Sequence, residues 1–332
     1  MTVEVTSSGG GLVEKGSSLA IGVTISTNQV DTSSIAYIND AAVSAGGDVV
    51  VTAEGNTSMD ADLDAFIKSN GVSVGITLAF NSMGFGSNNI LFNVIDTLIP
   101  NDPTSSNNSL TAGTDADKIA TRAYISNSSV KAGDDIEIRA EANNSLDADI
   151  VNAAVSIAVT LSDDQDSVSV GAVLALNRMQ YDTQAYAYHN SLMHAGFGQS
   201  SGTDHGIVVS ATDNSYVDAV VFAPAVGVSA SGSGSAKSIT VGVGIGRSAL
   251  KGDVRAYIQG ESDSSRTAVN VPYGSISVTA SRSASIDATA AAAAVAVVGS
   301  GSGDSLGFAG GGVVALNALR RSAQAYILHA DV

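Results

Sequence analysis

From Val72 to Phe80 the chain alternates without a break. Val72, Val74, Ile76, Leu78 and Phe80 fall on one side, and Ser73, Gly75, Thr77 and Ala79 on the other. A period of two predicts a β-strand. The pattern returns at 168–177 and at 239–246, with the runs Val-x-Val-Gly and Val-Gly-Val-Gly-Ile-Gly. One face of these strands is large and apolar, and the other is small and uncharged. A solvent-facing strand ordinarily carries long polar or charged residues outward. A Gly, Ala and Ser face instead permits close approach of another backbone, from this chain or from a second molecule.

A second kind of strand follows a Gly-Asp or Gly-Ser turn, in which Asp bonds nearby N–H groups and Gly eases the bend. It reads Val-Ser-Ala-Gly-Gly-Asp-Val-Val-Val-Thr-Ala at 43–53, Val-Lys-Ala-Gly-Asp-Asp-Ile-Glu-Ile-Arg-Ala at 130–140, and Tyr-Gly-Ser-Ile-Ser-Val-Thr-Ala at 273–280. Further short strands are expected after it, as at 153–160, closed by polar turns at 163–166, 231–235 and 299–304. Ala288 to Val298 has helix-forming composition. The matching segment Val220 to Val228 contains Pro224 and reads as β, so 288–298 is also expected to be strand.

These segments recur with fixed landmarks. Alternating strands close on Asn28, Asn81, Asn177, Ser248 and Asn317; Ala-Tyr pairs place Tyr37, Tyr124, Tyr186, Tyr257 and Tyr326; Asp-Ala pairs place Asp60, Asp147, Asp218 and Asp287. One and the same interval separates Asn28 from Ala36, Asn177 from Ala185, Ser248 from Ala256 and Asn317 from Ala325. The sequence is therefore one continuous array of units of roughly 70 residues, at about 18–80, 81–166, 167–237 and 238–304, with a partial unit at 305–332. It begins and stops within the pattern, as expected for a fragment of a longer chain. The second unit departs from the rest: the interval from Asn81 to Ala123 is several times longer, which places an insertion at 84–118. Insertions in repeat arrays map to loops on one face, often the binding face. A smaller expansion spans Met193 to His205.

Units of this length fit about three rungs of a parallel β-helix at a little over 20 residues each, or a set of long antiparallel hairpins tipped by turns such as 163–166. Small side chains favour the solenoid. Composition agrees with an all-β repeat. Gly, Ala, Ser and Val dominate, aromatic residues are 5%, and the 44% hydrophobic content excludes a disordered acidic tail. A formal charge of −17 argues against nucleic acid and anionic membrane surfaces as partners. The absence of Cys removes disulfides, thiolate metal sites and Cys nucleophiles. No apolar run is long enough to span a bilayer.

The phrase Val-x-Ala-Gly-x-Asp-Ile/Val-x-Ile/Val-x-Ala at 43–53 and 130–140 resembles repeats of large bacterial surface exoproteins of the filamentous-haemagglutinin-like type. So does the alternation of Ala-Tyr-Ile-x-x-Ser-x-Val with Ala-Val-x-Val and Gly-Ser-Gly tracts. The resemblance covers the chain outside the insertion. It implies a right-handed parallel β-helix, or β-solenoid, exported to the cell surface or matrix for adhesion or scaffolding. It carries over no catalytic residues.

Chemistry is sparse. His194 and His205 flank the third-unit expansion beside Asp204, while no His-Glu-x-x-His spacing exists. Asp163, Asp164 and Asp166, and separately Asp115 and Asp117, offer oxygen ligands for calcium in turns without matching a calcium-binding repeat. Gly299-Ser-Gly-Ser-Gly303 lacks the strand-to-helix elbow of a hydrolase nucleophile. With three rungs per unit, Asp60, Asp147, Asp218 and Asp287 would lie too far apart to share a bond, and their recurrence reads as a turn role. The sequence thus reads as a non-enzymatic, extracellular structural or adhesive segment. Its expected partners are neighbouring repeats or a second copy, met through the small-residue faces. A glycan-binding module using 84–118 is the alternative, and a polysaccharide-processing β-helix is a third reading that lacks its clustered carboxylates.

Overall fold

Among the described residues, the runs with period-two alternation fold into strands, and Gly, Asp, Asn and Ser clusters between them form corners. The computed structural model describes residues 2–11, 18–85, 118–161, 163–199 and 205–332, and all its regular elements are β.

The strands assemble into four sheets. The first holds Leu19–Val30, Val72–Met83, Gln165–Tyr188, Ala236–Gln259 and Ser305–Leu328, in that order, with Ser33–Asn39 and Ile119–Ser126 continuing the two shorter members. The second is narrow, built from Ala42–Ala45, Ser129–Ala132, Leu192–His194, Thr267–Asn270 and Ala330–Asp331. The third holds Val49–Gly55, Ile136–Ala142, Ile207–Asp213 and Ile276–Arg282. The fourth holds Thr2–Gly11, Ser58–Ser69, Ser145–Thr160, Tyr216–Ser231 and Ser285–Ser300.

All pairing between these strands is parallel. This removes the arrangement of long antiparallel hairpins. The chain passes through the first, second, third and fourth sheets in turn, and a strand finds its partner only when the next unit returns to the same sheet. Gln165 pairs with Ala236, and Ala236 with Ser305. Each repeat unit therefore adds one strand to each sheet, which corrects the expectation of about three rungs per unit. The physical reason is length: a single strand runs unbroken over the 24 residues of Gln165–Tyr188, so it uses the chain that three short rungs would share. Such a strand is about 80 Å long, while five stacked strands rise only about 20–25 Å.

The corner leaving the first sheet falls three residues after the tyrosine landmark. Asp40, Asn127, His189 and His329 take φ of 50°, 47°, 58° and 47° there, the left-handed region that Asn, Asp and His tolerate better than most residues. The long insertion is equally localised. Met83 pairs with Met179 and Ile119 with Tyr181, so the pairing stops before the insertion and resumes after it on either side of Gln180. Gly84, at φ 71°, turns the chain out of the sheet at a point where a Cβ would overlap the Gln180 carbonyl oxygen.

Two kinds of interior result. Where the first three sheets and the start of the fourth enclose space, the core is large: Met59, Ile125, Ile136, Leu146, Met179 and Met193 are fully buried. Elsewhere the fourth sheet lies directly on the first half of the first sheet, and the facing residues are mostly Gly, Ala and Ser, with Ile67, Asn152 and Thr240 among them. A Cβ on Gly242 would sit 2.6 Å from the Ala223 carbonyl oxygen and 2.8 Å from that of Ala293. Serine hydroxyls bridge the layers, Ser169 donating to the Ala154 carbonyl at 2.8 Å and Ser229 to that of Gln165 at 2.8 Å. The small faces thus meet backbone of the same chain. The large apolar faces point outward.

Candidate functional site

In-register parallel pairing brings each landmark onto its counterpart and turns scattered residues into columns. Tyr37, Tyr124, Tyr186, Tyr257 and Tyr326 form one stack on the outer face of the first sheet. Successive ring centroids are 5.2, 4.9, 4.8 and 5.1 Å apart, and ring planes lie within 10° of parallel. Sheet spacing sets the separation of the rings, which falls in the range of favourable stacked aromatic pairs. Burial raises the phenol pKa of Tyr186 and Tyr257, and the neighbouring tyrosines add to it.

Beside the stack lies a charge network that the landmarks did not reveal. Asp182 is buried and accepts from Arg122 Nη2 at 2.5 Å and from Gln184 Nε2 at 2.6 Å, with Arg255 Nη2 at 3.4 Å on its other side. Lys118 and Arg255 each approach Asp253 at 3.8 Å. Strand register could have found it, because Arg122, Gln184 and Arg255 occupy one column and Asp182 and Asp253 the next.

The asparagine landmarks point inward. Asn28 Nδ2 donates to Asn81 Oδ1 at 2.8 Å, and Asn81 Nδ2 to Asn177 Oδ1 at 2.9 Å. The chain of amides stops there, since Ser248 follows in register and Asn177 Nδ2 finds no acceptor. Asn317 is next in the column.

The aspartate landmarks point outward from the fourth sheet. Asp60, Asp147, Asp218 and Asp287 are consecutive in-register neighbours, and Asp62 pairs with Asp149. They are adjacent, which corrects the expectation that they lie too far apart to interact. They sit within strands, and so also not in turns. Partial burial, followed by the charge of Asp218 for Asp147 and of Asp62 for Asp149, raises both pKa values.

The remaining candidates disperse. Asp164 Oδ1 accepts the Ser235 N–H at 2.7 Å and ties two turns together, while Asp163 and Asp166 lie in the same turn and at the next strand's start. His205 Nδ1 lies 3.7 Å from Asp134, and His194 packs edge-on against Phe197 at 5.1 Å. Among the described residues no group of three His, Asp or Glu side chains is placed to hold a metal ion. Asp115, Asp117, Asp204 and most of the 84–118 insertion lie outside the described residues. At its two ends, Phe85 receives the Arg178 guanidinium over its ring at 4.3 Å, and Lys118 joins Asp31, Thr32 and Arg122 around an open cleft.

A buried polar cluster was also missed. Asp213 is fully buried, accepts from Ser215 Oγ at 2.5 Å, and faces the Tyr181 hydroxyl, with Arg282 next in register. Burial raises the pKa of both Tyr181 and Asp213.

Chemically, these columns repeat one group at the strand spacing, which suits stacking and extended surfaces. Among the described residues no helix is long and apolar enough to cross a membrane. Compared with family models, curated proteins and solved structures, the chain matches none.

Proposed function

We propose that this chain is a stretch of a right-handed parallel β-solenoid, serving as a structural or adhesive segment of a secreted or cell-surface protein. The observation that carries the reading is the in-register stacking of like residues across four parallel sheets, five tyrosines deep. Nearest-neighbour stacking of this kind lets an array extend by adding units, because each unit contacts only the next. The resemblance of 43–53 and 130–140 to exoprotein repeats and the strongly acidic composition favour an exported, architectural role. The wide cross-section makes such a shaft thick: about 70 residues are used per strand layer, so length comes only from many units.

The reading is tested by immobilising the purified chain and measuring attachment of host cells and glycan arrays, alongside electron micrographs of a longer array. Ribbons or rods of constant width with attachment independent of residues 84–118 are expected. Attachment lost on deleting 84–118 would favour a glycan-binding module. Compact particles that do not lengthen with added units would contradict the solenoid.

A further inference from the structure

The outer face of the first sheet, in its first half, is apolar at its centre and polar at its rim. Columns run across the strands in register: Leu19, Val72, Val168, Ile239 and Phe308 form the first. Three further columns start at Ile21, Val23 and Ile25 and keep apolar or Gly residues throughout. Leu19, Ile21, Ile239 and Phe308 expose 62, 63, 47 and 60% of their surface. Asn70, Asp166 and Lys237 border one side, and Arg178 and Lys251 the other.

Four columns on four or five strands cover roughly 500–600 Å². That is at the upper end of the largest apolar patch on ordinary monomers, about 300–600 Å². Two such faces together bury about 1,000–1,200 Å², the size at which a specific interface begins. An anionic lipid surface fits poorly against a chain of net charge −17. A second copy fits on geometry and charge. Equivalent sheet faces share strand spacing and twist, so they pack aligned at about 10 Å. Asp166 and Lys237 are in-register neighbours at the rim. A two-fold axis along the strands, between Gln165–Tyr188 and Ala236–Gln259, sets Asp166 of each copy opposite Lys237 of the other.

We infer that this face is a homodimer interface, formed by the large apolar columns and not by the small-residue faces, which are buried within the chain. The inference rests on the sheet geometry and stands apart from the surface-fibre reading. Analytical ultracentrifugation of the full chain tests it. The wild type is expected to sediment as a concentration-dependent dimer at tens of micromolar, on the order expected for a small interface. Ile239→Glu with Val241→Glu should weaken dimerisation at least tenfold with an unchanged circular dichroism spectrum. The control Val295→Glu with Val297→Glu, on the outer face of the fourth sheet, should leave the dimer intact. A wild type that is monomeric at every concentration would overturn the inference, whether residues 86–117 or neutral phosphatidylcholine vesicles then proved to cover the face. So would a dimer indifferent to the Ile239 and Val241 changes.

Discussion

The ring of Tyr181 fills the space that a side chain on Gly252, its in-register neighbour on the next strand, would occupy. A Cβ at 252 would overlap three atoms of the ring. Ile119 precedes them in the same inward column and Arg321 follows. Gly252→Ala should destabilise the protein by about 1–3 kcal/mol through overpacking. In the Tyr181→Leu background the same change should cost markedly less, a coupling that a double-mutant cycle by urea unfolding reads directly. Equal costs in both backgrounds would contradict the contact.

The amide ladder stops one residue short of a complete run. Asn177 Nδ2 is buried without an acceptor, and a small gap beside it is lined by Gly246, Ser248, Ala290 and Ala315. Ser248→Asn places an amide oxygen in register with Asn177 and should stabilise by about 0.5–1.5 kcal/mol. A shift of the urea midpoint to higher concentration, at unchanged slope, is the expected result.

The aspartate column works against the folded state at neutral pH. Asp147 and Asp149 have folded-state pKa values above their unfolded ones, through burial first and neighbouring carboxylates second. The folded state therefore holds its protons more tightly, and the favourable contribution is present at low pH and lost as pH rises through the raised values. Thermal stability should increase on acidification from neutrality toward the carboxylate range. Asp147→Asn should flatten that dependence and raise stability at pH 7 modestly, on the order of 0.5 kcal/mol given solvent screening. Added salt should do the same for the wild type and little for the variant.

Tyr186 is stacked on both sides, by Tyr124 and by Tyr257. Tyr186→Ala should cost about 2–3 kcal/mol from lost burial and two ring contacts, and Tyr186→Phe much less. Spectrophotometric titration should show the phenols of Tyr186 and Tyr257 ionising above the ordinary tyrosine range. A normal titration of all nine tyrosines in the folded protein would contradict the stack.

Much of this was legible in the sequence, and the limits have physical causes. Alternation placed the strands, including Ser285–Ser300 despite its alanines, because a period of two is a local property. The spacing of Asn81 and Ala123 located the insertion, which interrupts the pairing between Met179 and Tyr181. The length of one circuit was not legible, because alternation says nothing about which distant strand supplies the hydrogen bonds. The error about Asp147 and Asp218 follows from it: a whole unit apart in the chain, they are side by side in the sheet. The Gly, Ala and Ser face announced a close backbone, yet only the seating of Gly242 against Ala223 and Ala293 shows that it belongs to the same chain. Asp182 and its arginines carry no repeated signature, since the arginine column reads Ile35, Arg122, Gln184, Arg255 and Gln324, and the Asp182 column Ser33, Ala120, Asp182, Asp253 and Ser322.

The central claim is that each repeat unit adds a single strand layer to every sheet. Four additional copies of residues 167–237, inserted in tandem after Lys237, test it by small-angle scattering and electron microscopy. The account predicts growth along one axis by about 19 Å, some 4.8 Å per unit, with the other two dimensions unchanged. Growth of about 58 Å, as three rungs per unit would give, or equal expansion in all directions, would contradict it.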